Sequence, residues 1–194
     1  MCEEDIDLDE HWSYTITGNW RALRYCGGFT KLCFKAMTDS EENEFRNIDI
    51  TLQDALKIRL GEETEEIKRK KDKLTQIVGS LIDRSFDKLV HFVRNQNTRL
   101  AYMVFGVFLM KYGGKMPKEM KDEILKHSEW EYEKHQFKTI EERELRKKFL
   151  IEFREVIKGY IAGVPTLVSE KTLSDVYADH GPYDLSPIKY NIKK

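Results

Sequence analysis

The chain has 194 residues, with 33 Lys and Arg against 34 Asp and Glu, a formal net charge of −1. That balance argues against a bulk polyanion binder, and 10 Phe, 9 Tyr and 3 Trp are more aromatic residues than a disordered chain carries. The length fits one domain, or one domain with a small appendage.

Residues 1–10 hold six acids and no base, which predicts a flexible acidic leader rather than a secretory signal. Residues 11–37 reverse the sign. Arg21, Arg24, Lys31 and Lys35 occur there with no acid, interleaved with Trp12, Tyr14, Trp20, Tyr25, Phe29 and Phe34. The β-branched alternation from Trp12 to Thr17 predicts a short strand, ended at Gly18-Asn19. A short helix is expected from Asn19 to Tyr25, stopped by Gly27-Gly28, and Thr38 to Asn47 reads as a polar loop. Residues 11–50 are therefore expected as an aromatic, basic appendage of strand and loop.

From Thr51 the pattern becomes helical. Thr51 with Asp54 resembles an N-cap, Leu52, Ala55, Leu56 and Leu60 give one apolar face, and Gly61 is a stop. A second helix is expected from Glu62 to the Asn-Gln-Asn cluster at 95–97, with Ile67, Leu74, Ile77, Val78, Leu81, Ile82, Phe86, Leu89, Val90 and Val93 in a helical period. The third, from Thr98 to Tyr112, is apolar on every side, so it should lie at the centre with neighbours all round. Its apolar run, Leu100 to Met110, is eleven residues, too few for a membrane span of about 20. Pro117 is expected to open a fourth helix reaching about Lys134, and the capping-box sequence Thr139 to Glu142 a fifth, closed by Gly163 and Pro165. Residues 164–194 read as an extended tail in which a short helix can follow Ser169. The expected fold is mainly α: a single bundle of about five helices over 51–163, around a hydrophobic central helix at 98–112, with a small N-terminal strand and loop appendage.

Two groups of residues have the types needed for a site. On an unbroken fourth helix, Glu123, His127, Glu131 and His135 would follow one another every four residues along one face. Of these, His127, Glu131 and His135 are the candidate ligands for a divalent metal such as zinc, although an ion would reach only adjacent members, about 6 Å apart. The second group is the aromatic-basic segment. Trp12, Trp20, Arg21, Arg24, Tyr25 and Lys31 are the candidate binding residues, since aromatic and arginine side chains dominate interface hot spots. The same residue types grip single-stranded nucleic acid by stacking and charge.

Catalytic signatures are missing: there is no GxSxG, HExxH, GxGxxG or phosphate-binding GxxxxGK[ST], and no residue is assigned as catalytic. Cys2, Cys26 and Cys33 cannot all pair within one chain and lack zinc-type spacing, as free thiols in a reducing cytoplasm would. The sequence thus leads to a cytoplasmic helical protein that binds another macromolecule, foremost another protein, in a regulatory or interaction role, with no membrane partner and no cofactor beyond the metal alternative. A homodimer is expected if the third helix is incompletely covered within one copy. A metal-dependent enzyme on the His127 face and a nucleic-acid binder through 11–37 are the rival readings.

Overall fold

A computed structural model describes Ile16, Gly18 and residues 20–168, apart from the side chains at 20, 52, 55, 56 and 59. Among the described residues the chain forms α1 (Trp20–Phe34), α2 (Asp39–Arg46), α3 (Leu52–Leu60), α4 (Glu65–Gln96), α5 (Arg99–Lys111), α6 (Lys118–His127), a 3-10 turn at Trp130–Tyr132, and α7 (Ile140–Gly159). These helices pack on one another as a mainly α bundle: α5 touches α1, α4 and α6, and α6 touches α7.

The central helix is α5. Its start is fixed by Thr98, whose Oγ1 accepts a hydrogen bond from the Ala101 amide at 3.2 Å. Arg99 through Met110 are buried except for half-buried Val107, so the helix has no polar face. It ends in a paired turn: the Gly114 amide donates to Leu109 O at 2.8 Å and the Gly113 amide to Met110 O at 3.3 Å. Gly113 sits at φ +69, a left-handed geometry that a side chain would oppose.

Around α5, the 32 residues of α4 present Ile67, Ile77, Val78, Leu81, Ile82, Leu89 and Val93 inward, in the expected period. Its C-terminal cap is Asn97 at φ 51, one of the residue types that tolerates this region. The fifth expected helix is α7, opened by the Thr139–Glu142 capping box and burying Phe149, Leu150, Phe153 and Ile157.

Three local readings change. First, Gly27-Gly28 does not stop a helix; α1 runs through it to Phe34. A Cβ at Gly28 would lie 2.6 Å from the Phe92 ring, so this glycine lets α1 approach α4 closely. With Phe29 and Cys33 fully enclosed and Ala22 and Tyr25 beside them, α1 shares the bundle's core. Second, the segment read as a loop at 38–47 is α2, which buries no residue. It is held from outside: Thr38 and Glu41 form a reciprocal cap, Arg84 reaches the Glu41 carboxylate, Lys73 pairs with Glu44 at 2.9 Å, and Phe45 packs edge-on to Phe34. Third, α6 stops at His127, seven residues before the expected Lys134. The strand expected over Trp12 to Thr17 falls outside the described residues except for buried Ile16, and the leader at 1–10 and the tail beyond Val168 fall outside them entirely.

The cap of α2 has a pH signature. Hydrogen bonds from Arg84 first, then from the Thr38 amide and hydroxyl, hold Glu41 at about 2 against an ordinary 4.5. A carboxylate with a depressed value adds stability above its ordinary value and loses it as pH falls toward the depressed one. Glu41→Gln is therefore expected to flatten the dependence of melting temperature on pH between 4.5 and about 2, read by thermal melts of both forms across that window.

Candidate functional site

The polar stripe expected on the fourth helix is not assembled, and the reason lies in neighbouring helices. The last carbonyls of α6 have no partner within it, as at any helix end. Here two guanidiniums take them: Arg99 Nε donates to His127 O at 3.0 Å, and Arg154 Nη1 donates to Leu125 O and to Ser128 Oγ at 3.1 Å. Cations suit a helix C-terminus, and the chain then turns away through Trp130–Tyr132. Glu123, His127, Glu131 and His135 consequently do not share a helix face. Glu123 pairs with Arg94 at 2.6 Å, Glu131 pairs with Lys134 at 2.5 Å, and His135 is exposed. Among the described residues no three His, Cys, Asp or Glu side chains are grouped to hold a metal ion. The reading of His127, Glu131 and His135 as ligands is corrected on this geometry.

His127 has a packing role instead. Its ring stacks on Tyr102 with centroids 4.0 Å apart and an interplanar angle of 15°. Burial, followed by the charges of Arg99 and Lys126, pushes its pKa below the ordinary 6.5, against a smaller opposing effect of Glu123. In the unfolded chain this histidine would take a proton more readily than in the fold, so stability should fall as pH drops from 6.5. His127→Phe, which keeps a ring against Tyr102, is expected to weaken that fall. Ring-proton titration by NMR should show His127 protonating below the ordinary value.

Sequence reasoning missed the chemistry just beyond α6. Glu133 is fully buried, and Arg146 grips it with Nε to Oε2 at 2.6 Å and Nη2 to Oε1 at 3.0 Å. Arg99 adds a longer contact, Nη2 to Oε1 at 3.4 Å, a further bond to Glu129 O at 3.2 Å, and a cation–π contact over the Tyr132 ring at 4.9 Å. A two-pronged arginine–carboxylate pair has fixed geometry as well as charge. This arrangement ties α5 and α7 to the connecting segment. All three side chains are buried away from solvent. The hint in the sequence was Arg99 set directly before the apolar run that starts at Leu100.

The aromatic-basic segment divides in two. Tyr25 faces inward, 9% exposed, with its hydroxyl 3.0 Å from Thr98 Oγ1. It is a core residue bridging α1 to the start of α5, which corrects its reading as an interface anchor. Phe29 is likewise enclosed, in tilted or edge contact with Phe92, Phe105 and Phe108. Neither ring is available as a stacking platform for a base. Trp12 lies outside the described residues, and Trp20 is described only as the first residue of α1. Arg21 is half-buried, whereas Arg24 and Lys31 are exposed.

The outward side of α1 is where apolar surface and positive charge meet. Leu23 is 46% exposed and Phe34 41%, and the spacing of Leu23, Gly27, Lys31 and Phe34 places them on one helical stripe. Arg24 and Lys35 flank it, and α1 contains no acid. A shallow, mainly apolar depression is lined by Gly27, Thr30, Lys31, Phe34 and Lys35. The thiols on the other side of α1 are not activated nucleophiles. Burial raises Cys26 despite the nearby Lys111 charge, and pushes Cys33 up to about 11.

No described helix is long and apolar enough to cross a membrane. Comparison with protein-family models, with curated proteins and with solved structures finds no match to this chain.

Proposed function

We propose that this protein acts by binding another protein, and that the outward stripe of α1 is the contact surface. The observation that supports this is the combination of exposed Leu23 and Phe34 with Arg24 and Lys31 on α1 and Lys35 just after it, without an acid on the helix. Apolar contacts supply affinity, and charge of one sign selects and steers a partner of the other. The fitting partner is an acidic segment with apolar anchors, laid along the helix in the manner of helix-in-groove recognition.

The test is a pair of outward substitutions, Leu23→Asp with Lys31→Glu, made in the full chain. Binding to a partner identified with the unaltered protein should weaken at least tenfold, about 1.4 kcal/mol. The unfolding midpoint should hardly move, because both side chains point to solvent. Equal affinity of the two forms for every identified partner would sink the proposal. Loss confined to single-stranded RNA or DNA, with a steep salt dependence, would replace it with the nucleic-acid reading. Light scattering that shows a dimer only for the unaltered chain would identify the partner as a second copy.

A further inference from the structure

A second concave surface lies away from α1. It is a groove of about 1370 Å³ between α4, the end of α5, α7 and the segment after α7. Leu74 and Gly79 of α4, Tyr112, Val156 of α7, Leu167, and Ile58 of α3 contribute to its walls. Acids and lysines also border it, but the apolar rim continues onto the surface: Leu167 is 50% exposed and Val164 52%.

The chain is led to this groove by its own backbone. The Tyr160 hydroxyl donates to Gly114 O at 2.7 Å, the Gly163 amide donates to Gly113 O at 2.9 Å, and the Thr166 amide donates to Met110 O at 2.8 Å. Residues 160–166 are thus pinned along the end of α5. Leu167 then lines the groove, and Val168 packs against the bundle's core cluster. The described chain therefore ends beside the groove, not on a remote face.

We infer that the groove is the docking site of this chain's own residues 169–180. Within them Leu173, Val176 and Tyr177 fall at i, i+3 and i+4, the spacing that puts three apolar side chains on one side of a helix. The lengths agree. The α4 wall runs from Lys71 to Asp83, about 18 Å at 1.5 Å per residue, and twelve residues of helix span about 18 Å as well. A covalently attached segment beginning at the rim has an effective concentration that a separate partner of equal affinity would have to exceed.

The experiment compares the full chain with a full-length variant carrying Leu173→Ser, Val176→Ser and Tyr177→Ser. Backbone amide resonances of Thr75, Gly79, Gly113 and Thr166 should shift, while those of α1 and α6 stay in place, and the spectra should not change on dilution. In a second arm, a photo-activated benzophenone side chain replaces that of Tyr177 in the full chain. It should crosslink within one chain to peptides from α4 or α7. Unmoved groove amides, or crosslinks absent from the groove peptides, would overturn the assignment. Crosslinks found only between chains, with shifts that fade on dilution, would also overturn it and give the groove to a second copy. Loss of partner binding by the α1 variant would leave these results untouched, so the two proposals fail separately.

Discussion

Glu133→Gln is expected to destabilise the protein by about 3–5 kcal/mol, the largest effect of any single polar substitution proposed for this chain. The carboxylate is fully buried between two arginines that are themselves only 3% exposed. Removing its charge leaves two guanidiniums in a dry interior with one neutral acceptor between them. Burying an uncompensated charge costs far more than the intact pair contributes. For a chain of this size the melting temperature should fall by roughly 10 °C, and the urea midpoint should drop with an unchanged slope. The exposed pair Glu131–Lys134 is the control. Its contact of 2.5 Å is as short as that of Arg146 with Glu133 at 2.6 Å, yet Glu131→Gln should leave the midpoint where it was, because water already solvates both groups.

A triple replacement, Arg99→Met, Glu133→Leu and Arg146→Met, should recover much of the loss, since apolar side chains of similar volume can stand in for a buried ionic group. Recovery should be incomplete. Arg99 also satisfies the carbonyls of His127 and Glu129, which methionine cannot do. A wild-type midpoint for Glu133→Gln would mean that water reaches the network and that the segment after α6 is not locked by it.

How much of this was legible in the sequence depends on where the information sat. Helices α3, α4, α5 and α7 announce themselves because their caps and apolar periods are local: Thr51, Thr64, Thr98 and Thr139 each accept a bond from a backbone amide of the first turn. Helix α2 was missed because it buries nothing, so a search for an apolar face passes over it. The signal was present all the same, as Thr38 followed three residues later by Glu41, a capping box. The end of α6 was not legible. Nothing between Glu123 and His135 forbids a continued helix. The stop coincides with the capture of its last carbonyls by Arg99 and Arg154, which come from α5 and α7. The metal reading went with it, since it rested on an unbroken helix. For the candidate interface, the composition of residues 11–37 was legible but its orientation was not. Arg24 and Lys31 face outward, whereas Tyr25 turns inward because the continuing helix places it in register with Ala22 and Phe29.

That register makes a second large effect testable. Phe29→Ala should cost about 3–5 kcal/mol, the range for deleting an enclosed aromatic ring without collapse of the space it leaves. The ring is fully buried and has three aromatic neighbours, with Phe92, Phe105 and Phe108 at centroid distances of 5.5, 5.2 and 5.2 Å. Two of these belong to the central helix and one to α4, so the cavity would open at the junction of three helices, where no single side chain can swing in to fill it. Were α1 a loosely attached appendage beside the bundle, the same substitution would cost less than about 1 kcal/mol, typical of a change outside the core. The two cases also differ in cooperativity. If α1 belongs to the core, then in a chain whose other tryptophans, Trp12 and Trp130, are replaced by Phe, fluorescence from Trp20, at the start of α1, and far-ultraviolet circular dichroism from the whole bundle should report one coincident urea transition, shifted as a unit by the substitution. A separate early transition for the Trp20 signal, with the bundle's midpoint unmoved, would detach α1 from the core and remove the rigid base on which its outward stripe is proposed to present Leu23, Lys31 and Phe34.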